Sequence, residues 1–227
     1  MFNKTVIALA LFNLLTLTNR GQSTSLTTND LLTTENRELF PVEIASTEIS
    51  PYDSIFRSIS EQEGTDWRLL CAMAYHESRF LPDVVSRCGA RGIMQVMPHV
   101  ARQFDVSAEQ LNNVEDNIYV ANRVMVLIDQ MLRLPATTPE EDRLKMSLAA
   151  YNCGIGRVLD ARRLARSCGE NAESWEVVAQ CLRRMNNPEY YQMDVVKYGR
   201  FTGAGETLAY VSNVVDHYED YCLLAMR

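Results

Sequence analysis

The chain is poor in the residues that build metal and redox centres. Three scattered histidines in 227 residues are too few for a His-rich metal site. The six cysteines include no Cys-x-x-Cys pair, which argues against zinc ribbons and thioredoxin-like chemistry. His76-Glu77 lacks the second histidine that a helical zinc-peptidase motif needs, since position 80 is Phe80. Positive charge is also short: a formal net charge of −7 speaks against binding a phosphate backbone, so no nucleic-acid partner is expected. The same charge gives no steering toward an anionic envelope polymer, and recognition would have to come from a groove. Neither a metal nor a cofactor is expected.

Long apolar runs are missing too. The longest, Thr5–Leu17, follows Lys4, is too short for a membrane span and suits the core of a signal peptide. Residues 1–22 are read as that signal, with cleavage within Thr18–Ser25 and an uncleaved anchor as the alternative. No cysteine follows closely enough for a lipid anchor. Residues 23–50, rich in Thr, Ser, Asn and Glu, form a flexible linker. An exported protein results, periplasmic or fully secreted, in which six cysteines could form up to three disulfides.

Alternating apolar residues and internal repeats are likewise missing from 51–227, and what remains is helical. A first helix carries Ile55, Phe56 and Ile59, with Asp53 or Ser54 as cap. A second, capped by Asp66, runs to His76 with Trp67, Leu70, Cys71, Ala74 and Tyr75 at helical spacing. Short Pro98–Phe104 precedes a long amphipathic helix, Asn117–Leu134, which Pro135 and Pro139 end. Helices then follow over Glu140–Tyr151, Ile155–Ser167, Ala172–Met185 and Thr207–Leu224. The fold class is all-α in a single domain.

One acid stands out. Glu77 ends an apolar helix, where desolvation would raise its proton affinity and suit it to general acid work near neutral pH. Ser78, Ser86 and the turn Gly89-Ala-Arg-Gly92 follow, offering hydroxyls and an approachable backbone. Gln95 adds an amide able to read sugar hydroxyls and N-acetyl groups. No second acid is placed beside Glu77 in the same way. Taken alone, a lone glutamate is more often a helix-end carboxylate than a catalyst.

Glu77-Ser78, Gly92-Ile-Met-Gln95, Ala150-Tyr-Asn152 with Gly154, and Glu206-Thr207 with Tyr210-Val211 stand in the order and spacing of soluble lytic transglycosylases. From about Ser50 to Tyr221 the chain resembles that catalytic domain, which is related in fold to goose-type lysozyme. The resemblance implies a lysozyme-like helical domain with a substrate groove. It further implies non-hydrolytic cleavage of the β-1,4 bond between N-acetylmuramic acid and N-acetylglucosamine, leaving a 1,6-anhydromuramyl end. Glu77 would be the single general acid and base, because the substrate's N-acetyl oxygen replaces the second carboxylate of ordinary glycosidases. Ser86 and Tyr210 match positions that contact the reacting sugar, and Gln95, Met97, Tyr151 and Asn152 match the groove lining. The partner would be peptidoglycan glycan strands, met by a monomer whose linker could reach a membrane or envelope complex.

Cys153 stands where the family commonly has a small residue, and Cys88 precedes the Gly-Ala turn. Both flank motifs that face one groove, which suggests a Cys88–Cys153 bridge; two small buried thiols are the alternative. Cys168–Cys181 and Cys71–Cys222 would complete the set. Rival readings are a cysteine peptidase or amidase using Cys153 with His76, His99 or His217, a muramidase of the same bond, and a wall-binding module without turnover.

Overall fold

The structure, a computed structural model, describes residues 48–224. The signal peptide and most of the linker expected from the sequence lie outside the described residues. Nine α-helices make up the described part: α1 (Asp53–Glu63), α2 (Trp67–Ser78), α3 (Pro98–Ala101), α4 (Val114–Leu132), α5 (Glu140–Cys153), α6 (Ile155–Ser167), α7 (Trp175–Arg184), α8 (Pro188–Tyr191) and α9 (Ala204–Leu224). Two 3-10 turns, Arg102–Phe104 and Gln110–Asn112, sit between α3 and α4. Strand pairing among the described residues is limited to two isolated bridges, Val85 with Arg91 and Arg91 with Val96.

The all-α expectation is met because each long helix offers an apolar face to the same core. α2 is the axis: Leu69 through Ala74 are all buried, so this helix is apolar around its whole circumference rather than on one stripe. α1 and α9 pack on it, α4 and α5 extend the layer, and α6 and α7 close the far side. Phe56, Leu70, Met73, Ile118, Met146, Leu148, Leu164 and Leu182 fill the interior.

Sequence and structure differ at several ends for local reasons. The Asp53 carboxylate accepts backwards from the amides of Ile49 and Ser50, tying down the chain that enters α1. α4 starts at Val114 because the Asn113 side chain accepts the amide of Asp116 and caps it earlier than the apolar pattern shows. α7 starts at Trp175 rather than Ala172. The Asn171 side chain accepts the Glu173 amide in a tight turn, and Trp175 N–H is taken by the Asp142 carboxylate. α8, a single turn capped by Asn187, is too short to leave a periodic signal.

Candidate active site

Asp66 caps α2, accepting from the backbone N–H and the guanidinium of Arg68 and from the Tyr218 hydroxyl. Burial opposes its charge, yet those donors hold the Asp66 carboxyl below its ordinary range. At the other end, Arg79 and Phe80 adopt left-handed backbone (φ 57° and 61°) in succession. Two non-glycine residues in that region turn the chain sharply away, directly after the acid. Ser78 Oγ donates to the carbonyl of Ile93 at 2.7 Å, fastening the helix end to the returning loop.

Residues 79–97 form that loop. Ser86 receives the Ala90 amide on its Oγ at 2.9 Å and donates its own amide to Ala90. Arg91 and Val96 exchange backbone hydrogen bonds. The Gln95 amide nitrogen donates to the carbonyls of Val84 (3.0 Å) and Gly92 (2.9 Å), which engages half of the side chain inside the loop. Only its Oε1 is left for a ligand. Beneath the loop lies Asn117 of α4, fully buried. It accepts the Met94 amide at 2.8 Å and donates to Arg91 and Leu111, each at 2.9 Å. Gly92 has φ +77°, and a Cβ there would sit 2.3 Å from Asn117 Nδ2. This residue must be glycine.

Across the site, Tyr151 of α5 donates from its hydroxyl to the carbonyl of Met94 at 2.8 Å, bridging helix and loop. Asn152 is buried, and its Oδ1 accepts from Thr207 Oγ1 of α9 at 2.9 Å, so it joins two helices. Met97 is buried at the start of α3. Tyr210 of α9 is buried, and its hydroxyl finds no partner in good hydrogen-bond geometry. It nonetheless reaches the Glu77 carboxyl, and that contact favours the carboxylate.

Glu77 is partly open to solvent, yet its carboxyl is enclosed enough for burial to push its pKa up to about 7, against the opposing pull of Tyr210. No other carboxylate contributes to that shift. Its charge in turn pushes the buried Tyr151 and Tyr210 hydroxyls well above the ordinary tyrosine range, after burial itself. The structure thus brings Glu77, Tyr151 and Tyr210 into electrostatic contact, ties Gln95 to the loop beside them, and leaves Ser86 within that loop. Two concavities of about 410 Å³, one along α7 and α9 and one at Pro135–Asp142, contain none of these residues.

The cysteine framework is corrected. All six thiols are free. Cys88 is exposed in the loop while Cys153 lies against the Gly154 carbonyl, with Thr207 beside it. Cys71 is buried near Asp53, and Cys222, partly buried, neighbours Tyr218. Cys181 is buried near Glu170 and has the exposed Cys168 as an electrostatic neighbour, yet both thiols are free. Cys153 is also a poor nucleophile, since burial pushes its thiol up to about 12. His76 and His217 pair with each other at 3.0 Å, so the peptidase reading finds no activated thiol.

Asn117 and Asp160 were not singled out from the sequence. Asn117 occupies a core position of α4, and Asp160 one of α6 between Val158 and Ala161. A polar residue in the apolar register of a helix was the available signal.

Comparison with known proteins agrees with this arrangement. Residues 54–173 match the model of the transglycosylase SLT domain. A membrane-bound lytic murein transglycosylase F from Alcanivorax borkumensis is 34% identical over 168 residues, which are 74% of this chain and 34% of that protein. The protein of the same name from Marinobacter nauticus is 33% identical over 74% of this chain and 32% of its own length. The chain therefore spans about a third of the length of these relatives. A solved lytic transglycosylase Slt from Pseudomonas aeruginosa, an inactive Glu→Gln mutant, shares the fold with a TM-score of 0.51 and 21% identity. That match covers 75% of this chain and 24% of the solved one. The matched segment takes in α2 with its terminal acid, the fastened loop, and the α5 end that carries Tyr151 and Asn152: this chain belongs to the transglycosylase SLT domain family.

Proposed function

We propose that the chain cleaves the β-1,4 bond between N-acetylmuramic acid and N-acetylglucosamine in peptidoglycan without water, leaving a 1,6-anhydromuramyl end. One observation carries this reading. Burial pushes the Glu77 carboxyl up to about 7, no second carboxylate acts on it, and the Tyr151 and Tyr210 hydroxyls lie within its electrostatic reach. A carboxyl at that value is part acid and part base at neutral pH, so one group can serve both halves of a reaction. A two-carboxylate hydrolase would need a second ionised acid beside the first.

The steps are those that the family resemblance implies, with Glu77 as the one acid and base. Protonated Glu77 gives its proton to the glycosidic oxygen as the bond to C1 breaks. The N-acetyl carbonyl oxygen of the muramyl sugar closes on C1 and forms an oxazolinium ion. The Glu77 carboxylate then takes the proton of the 6-hydroxyl while O6 attacks C1 and displaces the N-acetyl oxygen. Tyr210, whose buried hydroxyl lacks a good partner, would satisfy it on the reacting sugar. Gln95 Oε1 and Ser86 would accept from or donate to sugar hydroxyls and N-acetyl groups, with Met97, Tyr151 and Asn152 as supports behind them.

The glycan strands of the wall are the partner and the periplasm the site of action. Relatives named membrane-bound are consistent with the envelope. No helix among the described residues is long and apolar enough to cross a membrane.

Digestion of purified sacculi with the full chain tests the reading. Products one water lighter than reducing-end muropeptides are expected, and Glu77→Gln should lower their release at least about a thousandfold. Reducing-end products would make the enzyme a muramidase. Unchanged release by Glu77→Gln would remove the acid from the mechanism.

A further inference from the structure

Beyond the acid and its loop, a second surface segment is held by several hydrogen bonds, the one before α9. Asp160 of α6 is fully buried. Its carboxylate accepts the amides of Lys197 at 2.8 Å and Tyr198 at 2.7 Å, and pairs with the Arg163 guanidinium. Arg163 Nε also donates to the Val195 carbonyl at 2.9 Å. From one turn earlier in α6, Arg157 donates to the carbonyls of Tyr198 (2.8 Å) and Gly199 (2.7 Å). Burying a carboxylate is costly unless every lone pair is met, and here the compensating donors are directed at residues 195–199.

What this clamp presents is a single aromatic ring. Tyr198 is 57% exposed, although its backbone N–H and C=O are both held. The ring packs on the backbone of Gly156 so closely that a Cβ there would lie 2.6 Å from Cε2 and Cζ. Any side chain at 156 would push the ring off its seat.

The position adjoins the site through two chain connections. Gly156 lies in the first turn of α6, a few residues after Tyr151, which bonds the loop, and Asn152, which bonds α9. Tyr198 lies nine residues before Thr207, whose hydroxyl bonds Asn152. The ring therefore sits at the start of α6, next to the end of α5 that carries Tyr151 and Asn152.

We propose that Tyr198 is a stacking platform for a saccharide ring of the bound strand, a binding position that rests on the glycan-cleaving function proposed above. The apolar C–H face of a pyranose covers an aromatic face well, and a tyrosine keeps its polar tip wet while its body is covered. A rigid, isolated aromatic suits a sugar better than a protein partner, which would need a far larger apolar patch. The clamp adds preorganisation, because little side-chain or loop entropy is left to lose on binding.

The test uses the full chain carrying Glu77→Gln, so that ligand is bound without turnover, with chitooligosaccharides and intact sacculi as probes. Tyr198→Ala should weaken binding to both by about tenfold, and Tyr198→Phe should bind like its parent. Tyr198→Leu, which keeps apolar packing over Gly156, should behave like Tyr198→Ala and covers the case in which alanine unsettles the loop. With Glu77 present, Tyr198→Ala should raise KM for sacculi and leave kcat within about twofold. Undiminished binding in folded Tyr198→Ala or Tyr198→Leu would overturn the platform alone, as would a Phe variant as weak as alanine. A parent that binds neither probe would overturn the glycan reading and the platform with it.

Discussion

At the scale of single residues, the loop after the acid depends on a glycine and an asparagine fitted to each other. Gly92 must be left-handed and must leave room for the Asn117 amide, which satisfies three backbone groups at once. Gly92→Ala would add a Cβ into that amide and strain the backbone. A loss of about 2–4 kcal/mol in stability is expected. Asn117→Ala would take the side-chain partner from the buried Met94 amide and the Leu111 carbonyl, and leave the Arg91 carbonyl with the Val96 amide alone, a loss of similar size. Both variants should release Gln95 and the Met94 carbonyl from their positions, so chemical denaturation should show the lower stability and sacculus digestion a lower kcat. Gly92→Ala with unchanged stability would show that the loop is not built on this contact. The Gly-Ile-Met-Gln motif was visible in the sequence, and its glycine was read as an approachable backbone. Its partner was not visible, because Asn117 is 25 residues away and its role exists only once α4 packs under the loop.

At the scale of elements, α2 and α9 form the most extensive helix contact, and it holds two neighbours of opposite titration behaviour. Glu77 is raised to about 7 by burial, so the folded state favours its proton. Its favourable contribution is complete below about pH 4.5 and is lost as pH rises through 7. His76 is pushed down to about 4 by burial, then by His217 and Arg79, with Asp216 opposing. The folded state thus resists protonating His76, and stability falls as pH drops from about 6.5 toward 4. Between those limits the two slopes oppose each other, and the parent protein should show a flat stability profile there. Single variants separate them. Glu77→Gln should gain about 1–3 kcal/mol at pH 8 relative to parent and little at pH 4, because the cost of an enclosed charge is gone. His76→Gln should lose the acid-side slope, worth about 1–2 kcal/mol once partial exposure is allowed for. Thermal melts across pH 4–8 check both, and parallel profiles for parent and Glu77→Gln would show that the carboxyl titrates normally. The sequence showed the apolar helix that raises Glu77. It could not show the His76–His217 contact, which joins residues 141 apart and depends on how α9 lies along α2.

At the scale of the whole molecule, the chain returns its last helix to its second, so the two sides of the candidate site come from opposite ends of the described domain. This is why helix periodicity revealed the elements and not the site: Glu77 meets Tyr151 and Tyr210 only after α5 and α9 have packed. The same topology predicts where truncation is tolerated. Val214 and Val215 are buried against the core, Tyr218 donates to the α2 cap Asp66, and Tyr221 stacks near His217. Ending the chain after Asn213 removes all four. Two buried valines at about 1.5–3 kcal/mol each, with the lost tyrosine contacts, approach the whole stability margin of a small domain. Such a chain should lose cooperative unfolding by circular dichroism, although Glu77, Gln95, Tyr151 and Tyr210 are all still present. Ending after Cys222 instead removes Leu223 and Leu224, which are 61% and 42% exposed, and should leave the melting temperature within a few degrees of the parent. A cooperative melt in the shorter chain would mean that α2 keeps its place without the end of α9, and the acid would then owe its enclosure to the loop and α5 alone.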